Sequence, residues 1–238
     1  MENVLEKSTF LEVEYANDFV REQLDNYSLT TLASVWSNCL NPAINFAIKQ
    51  KKLKDGNTGK LLAESSYILP TPKQVENDID CYEKDEIFKI LDAIKNNTYN
   101  SPFSAFNHSY YWSYAYFQTL TGARPENTCA LTWNDVITKG DRTYIKFSKA
   151  YSKGILLPYT KNKTIIMFPV NEQLKELLVF MERNKNPKNK NNTLFCGIKG
   201  GYFHADNFNR SIWKKVVKAL MEDKVLDRYL THNAVCNF

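Results

Sequence analysis

Nowhere do apolar residues run on for the roughly 20 positions that a membrane-spanning helix needs, so no spanning segment is expected. The first residues, Met1-Glu2-Asn3-Val4-Leu5-Glu6-Lys7, have neither the basic start nor the apolar core of a secretory signal, and the expected location is cytoplasmic. The five cysteines, Cys39, Cys81, Cys129, Cys196 and Cys236, are odd in number, widely spaced and never arranged as Cys-x-x-Cys. That pattern suggests neither a disulfide framework nor a zinc site, and the thiols read as buried or incidental. There is no internal repeat, and no metal or cofactor is expected.

What is present is enough for a sizeable core: 238 residues, 43% hydrophobic and 13% aromatic, long enough for one large or two small domains. The net charge of +5 is unevenly spread. Residues 1–149 carry 16 Lys and Arg against 19 Asp and Glu, a net −3, whereas residues 150–238 carry 15 against 7, a net +8. A basic C-terminal third suits a polyanion such as double-stranded DNA, whose phosphates are bound by Lys and Arg with release of counterions. The alternative is a solvated, lysine-rich surface.

An acidic helical segment is expected from Val4 to Asn26, then a helical run starting at Ser28 through Leu32, Val35, Trp36, Leu40, Ile44, Phe46 and Ile48. Pro42 should kink that run or split it in two. Lys49 to Lys60 reads as a loop, and Leu69-Pro-Thr-Pro-Lys73 is stiff and extended because each proline disfavours helix in the residue before it. Helices are expected over Glu83–Asn96, with Ile87, Phe88, Ile90, Leu91 and Ile94 on one face, and over Ser104–Leu120, whose aromatics point to core burial. Strands at Arg142–Phe147 and Thr164–Phe168, a helix at Asn171–Arg183, an exposed Asn/Lys loop at 184–192 and a last helix at Ala205–Glu222 complete the outline. The last helix sets Phe208, Ile212, Trp213, Val216, Val217 and Leu220 inward and Arg210, Lys214, Lys215 and Lys218 outward.

One motif carries more information than the rest: Thr121-Gly122-Ala123-Arg124-Pro125-Glu126, then Leu131-Thr132-Trp133-Asn134-Asp135-Val136. It sets an arginine at a glycine turn between helices, where a guanidinium can hold a phosphate. The pattern resembles the first arginine motif of tyrosine recombinases, the phage-integrase family. One departure is that the family's glutamate falls three residues after the arginine, where this chain has Asn127, while Glu126 is one place early.

The resemblance implies a mainly α fold with a small antiparallel β element (α+β). Residues 1–70 would form a helical core-binding-like domain, 71–80 a linker, and 81–238 a recombinase catalytic domain lacking its C-terminal end. It implies a metal-free reaction in which a tyrosine hydroxyl attacks the phosphodiester, arginines neutralise the non-bridging oxygens and a lysine protonates the leaving oxygen. Arg124 matches the first arginine. Lys161 matches the lysine, since Lys161-Asn162-Lys163 leads through Thr164–Phe168 to Pro169, with Lys163 and Lys153 as the other candidates. The block Leu194-Phe195-Cys196, Gly200-Gly201, Phe208-Asn209-Arg210 and Trp213-Lys214 resembles the family in packing rather than in catalysis.

After the last helix the family carries an arginine–histidine motif, and here the matching stretch is Tyr229-Leu230-Thr231-His232-Asn233-Ala234, with His232 the residue nearest to it and no arginine. No tyrosine follows Tyr229. The expected site is therefore Arg124, Lys161 and His232, with Lys153, Lys163, Arg210, Lys214, Lys215 and Lys218 on DNA, in a truncated relative impaired in strand cleavage. Its partners would be double-stranded DNA and, on it, further copies or a full-length recombinase. The competing readings are a non-catalytic DNA-binding module and a helical interaction protein with no DNA role.

Overall fold

The computed structural model describes residues 22–35, 38–39, 41–50, 52, 81–104 and 106–230, and the chain divides into two compact units, Met1–Asp78 and Ile79–Phe238. In the first unit the Ser28 hydroxyl accepts the Thr31 N–H at 3.2 Å and opens helix α1 (Leu29–Val35). A separate helix α2 (Asn41–Lys49) follows, with Pro42 in its first turn, where the missing N–H costs nothing. The expected acidic helix from Val4 and the linker at 71–80 lie outside the described residues, apart from a few positions after residue 21.

In the second unit, helix α3 (Lys84–Lys95) starts with a capping box between Glu83 and Glu86 and buries Ile87, Ile90, Leu91 and Ile94. Phe88, expected on the same face, is instead 44% exposed, because it sits one position off the 3–4 repeat that the other four keep. Helix α4 (Trp112–Thr121) begins later than the aromatic pattern suggests. The preceding backbone is held elsewhere: Asn100 Oδ1 accepts the His108 N–H, Asn97 Oδ1 accepts the Ser109 N–H, and a 3₁₀ turn fills His108–Tyr111. Such side-chain bonds compete with the helix.

Helix α5 (Pro125–Cys129) follows at once, and then a three-stranded antiparallel sheet of β1 (Val136–Lys139), β2 (Arg142–Phe147) and β5 (Ile166–Pro169), ordered β1-β2-β5. Ile145 faces Val136 on one side and Phe168 on the other. A second, two-stranded hairpin of β3 (Ala150–Ser152) and β4 (Ile155–Leu157) lies between β2 and β5 in sequence. Sequence periodicity missed β1 and this hairpin, since strands of three or four residues show too few alternations to register. Strand β5 starts at Ile166 rather than Thr164, because Thr164 is bonded into a turn with Thr160.

Helix α6 (Glu172–Arg183) is capped by Asn171, whose Oδ1 accepts the Leu174 N–H at 2.9 Å. The last helical stretch is continuous but uneven: α7 (Ala205–Phe208), a π turn (Asn209–Trp213) and α8 (Lys214–Glu222). All six residues expected to face inward here are buried. They close an aromatic centre in which Tyr114 stacks on Phe203 at 4.1 Å and meets Phe195 edge-on at 5.5 Å. The fold is α+β and mainly helical. No helix among the described residues is long and apolar enough to cross a membrane.

Residues after α8 return to the start of α3. Arg228 donates to both carboxylate oxygens of Glu86 at 3.2 and 3.0 Å and to the Cys81 carbonyl, while the Leu230 N–H donates to Tyr82 Oη at 2.7 Å. The Trp213 Nε1–H donates to the Leu230 carbonyl at 3.0 Å. This clasp fixes the chain immediately before Thr231 and His232.

Candidate active site

Arg124 is placed by its backbone. Helix α4 ends at Gly122, which takes the left-handed conformation (φ 55°) that favours glycine, and its N–H donates to the Gln118 carbonyl at 2.8 Å. Two residues on, Arg124 caps α5 with extended dihedrals, and Pro125 occupies the first helical position, where its ring fits. The Arg124 carbonyl accepts the N–H groups of Asn127 and Thr128, each at 3.0 Å, and the Thr128 hydroxyl at 3.3 Å. Gln118 Nε2 donates in turn to that hydroxyl. Both turn helices are thus tied to one carbonyl, while the guanidinium is exposed and makes no hydrogen bond or ion pair with the described residues.

The second half of the motif is a brace. Asp135, buried, accepts the Thr132 N–H at 2.8 Å, the Thr132 hydroxyl at 2.6 Å and the Lys149 ammonium at 2.8 Å. The Leu131 carbonyl accepts the Leu194 N–H, and the Asn192 carbonyl accepts the Trp133 N–H. Asp135 therefore joins the α5 exit to the residue just before β3, and Leu131 and Trp133 join it to the segment before α7.

Three pieces distant in sequence meet beside α5, around a small cavity of about 110 Å³. Pro125 and Glu126 come from the arginine turn, Ser152 and Lys153 from the β3–β4 hairpin, and His204, Asp206 and Asn209 from the start of the last helix. The hairpin turn is tight, with Lys153 at φ 50° and Gly154 at φ 82°, a pair of left-handed positions that matches the twist of a two-residue β-turn. His204 is exposed and caps α7, its ring edge-on to Tyr151 at 5.4 Å, and Tyr151 stacks on Tyr202 at 4.4 Å. The sequence reading overlooked His204; its position just before a helix was the available signal. On the inner side of the cavity, burial pushes the Cys129 thiol up to about 12, which leaves it protonated and inert at neutral pH.

Lys161 lies elsewhere in the topology. Its layout in sequence suggests a hairpin turn, yet β4 pairs with β3 and β5 with β2, so the residues between them cross from one sheet to the other. Thr160 organises that crossing by accepting the Thr164 N–H at 3.1 Å and donating to the Thr164 carbonyl at 2.9 Å. Lys161 and Lys163 are exposed on it, Lys163 at φ 54°. Arg210, Lys214, Lys215 and Lys218 are all exposed along the last helix, and Arg210 donates to Asn207 Oδ1 at 3.1 Å. His232 lies outside the described residues. Among the described residues no cluster of three or more His, Cys, Asp or Glu side chains is gathered for a metal ion.

The profile of the phage integrase family matches residues 81–234. Solved structures with the same fold include the Tn1549 transposon integrase in complex with transposon right end DNA, 16% identical, TM-score 0.66, covering 94% of this chain and 70% of the other. The lambda integrase bound to DNA is 15% identical, TM-score 0.58, with 94% and 68% covered. A lambda integrase tetramer bound to a Holliday junction is 14% identical, TM-score 0.59, with 94% and 57% covered. No curated protein matches in sequence.

Proposed function

Since the chain belongs to the phage integrase family, we propose that it binds double-stranded DNA in site-specific recombination and integration, with Arg124 on a backbone phosphate and impaired strand cleavage by these 238 residues alone. The observation that carries the reading is the Arg124 turn: backbone locked by three hydrogen bonds, guanidinium exposed and unengaged among the described residues. The locked backbone fixes where the side chain starts, and a guanidinium with no competing partner is available to a phosphate. The Tn1549 and lambda integrases of similar fold are bound to DNA, the latter also as dimers and tetramers, which supports duplex DNA and further copies as partners.

Residues 1–70 are assigned to a core-binding-like domain, 71–80 to a linker and 81–238 to a partial catalytic domain. Beside Arg124 the better-placed lysine is Lys153, whose hairpin borders the same cavity as Pro125 and Glu126. Lys161, which the motif layout nominates, lies on the crossing between sheets. Lys163, Arg210, Lys214, Lys215 and Lys218 supply further phosphate contacts, and His232 stands nearest to the missing arginine–histidine motif. Impaired cleavage rests on the absence of an arginine from Tyr229-Leu230-Thr231-His232-Asn233-Ala234, which leaves the phosphate with less charge to neutralise it.

The test is a gel-shift against duplex DNA over a salt series, paired with trapping on a nicked suicide substrate. Wild type should bind with strong salt dependence, Arg124→Ala should bind about tenfold more weakly, and Lys153→Ala should lose more than Lys161→Ala. Failure to bind duplex at physiological salt would favour the interaction-protein reading. A covalent protein–DNA adduct formed by this chain alone would overturn impaired cleavage.

A further inference from the structure

A cleft of about 610 Å³ in the second unit is bounded by the end of α3, the start of α4, the end of α6 and the segment leading to α7. Its floor is the buried aromatic cluster of Tyr114, Phe195 and Phe203, and its walls are Trp112, Trp133 and Phe180. Phe180 is 46% exposed although it is a large apolar side chain on a well-formed helix. Apolar surface gathered in a concave site marks a binding face more often than a lone exposed residue does.

The charge of the cleft has one sign. Lys95 places its ammonium 4.6 Å from the centre of the Trp112 ring, and Lys185 places its own 4.1 Å from that of Trp133. Among the described residues no Asp or Glu lines the cleft. Lys185 does pair with Glu182 at 3.3 Å, but both partners are well exposed and such a pair is weak. Trp133 Nε1 adds a buried donor with no hydrogen-bond partner among the described residues. The site therefore offers an apolar floor, two cations at the rim and one unmet N–H.

We propose that this cleft binds an acidic peptide segment of a partner protein, one that presents a large apolar side chain between carboxylates. The apolar side chain enters between Trp112, Trp133 and Phe180, and carboxylates meet Lys95 and Lys185. Nucleic acid fits less well, because a base needs a bare aromatic face to stack on. Trp112 already meets Lys95, Tyr116, which stacks on it at 5.2 Å, and Phe180, edge-on at 5.5 Å, and Trp133 carries Lys185. The lysines that occupy those faces still have charge to offer. Peptide binding here does not require the DNA contacts proposed above, since Lys95, Trp112, Trp133, Phe180 and Lys185 are not among them and none lines the cavity beside α5.

The experiment uses the full chain and a fluorescein-labelled peptide, Asp-Glu-Leu-Trp-Glu-Asp-Leu, read by fluorescence anisotropy. Binding should weaken about tenfold with Lys95→Glu or Lys185→Glu, weaken similarly with Phe180→Ala, and vanish when lysines replace the acidic residues of the peptide. Circular dichroism and the melting temperature establish that each variant is folded; Lys95, Phe180 and Lys185 are exposed enough to be changed without opening the core. Absence of binding, or binding indifferent to both charge reversals, overturns the proposal. So does displacement of the peptide by a single-stranded oligonucleotide, or self-association of the chain abolished by the same variants, which would assign the cleft to nucleic acid or to a second copy.

Discussion

The Arg124 carbonyl is bonded from three sides while its side chain reaches outward, and this division of labour recurs in other single residues. Gly200 resembles an ordinary turn glycine in the sequence, but at φ 86° it lies against the backbone of Lys188, and a Cβ there would collide with that carbonyl. Gly200→Ala should lower stability by more than about 1 kcal/mol, whereas Gly201→Ala, with nothing near its Cβ, should be close to neutral. Urea unfolding of the two variants measures the difference. His108 is buried with no partner for Nδ1 among the described residues, and burial first, then the nearby Lys215 charge, hold its imidazole below the ordinary value of 6.5. The unfolded chain thus takes up a proton more readily than the folded one. Stability should fall as pH drops below 6.5 and level off once the folded imidazole is also protonated. Comparing urea midpoints at neutral and acidic pH, His108→Leu should show a smaller acid-side loss than wild type; an equal loss would assign the acid sensitivity to other groups.

At the scale of elements, the stretch Leu131–Val136 is a connector, and Asp135 is its fastening. Its carboxylate accepts three donors from Thr132 and Lys149 and so holds a short 3₁₀ turn (Trp133–Asp135), the start of β1 and the approach to β3 together. Asp135→Asn keeps an acceptor but gives up the charge that Lys149 needs. The expected cost is about 1–3 kcal/mol, toward the lower end because the Lys149 side chain is partly exposed. Calorimetry should show a melting temperature lower by about 2–4 °C for each kcal/mol, and an unchanged value would mean that the clamp contributes nothing. The long helices α3, α6 and the 205–222 stretch were legible because apolar residues recur along them at helical spacing. The β3–β4 hairpin was not, since its three-residue strands and its Lys153-Gly154 turn look like any exposed basic loop.

At the scale of the whole molecule, the basic C-terminal third becomes a surface with a direction. Lys214, Lys215 and Lys218 lie exposed on α8, while Val216, Val217 and Leu220 are buried beneath them. If these lysines bind phosphates, replacing all three with glutamine should reduce the slope of log affinity against log salt by up to about three, because each lysine neutralises about one phosphate. A slope equal to that of wild type in filter binding would remove α8 from the proposed DNA interface and leave the hairpin and the arginine turn.

The family was legible along the chain, in the order Thr-Gly-Ala-Arg, Leu-x-Trp-x-Asp and the later Leu-Phe block, and so was the helical outline of residues 81–222. These are local properties: a glycine turn, a capping residue and a 3.6-residue period can each be read from neighbours along the chain. That Lys153 shares a cavity with the arginine turn and that Lys161 lies on a crossing between sheets emerges from the folded chain alone. Folding also brought His204 to that cavity and joined two lysine-covered tryptophans into one cleft. Those facts depend on which strands pair and on which distant segments pack together, and pairing is settled by the burial of Ile145, Tyr114 and Trp213 in a common core rather than by any short stretch of residues.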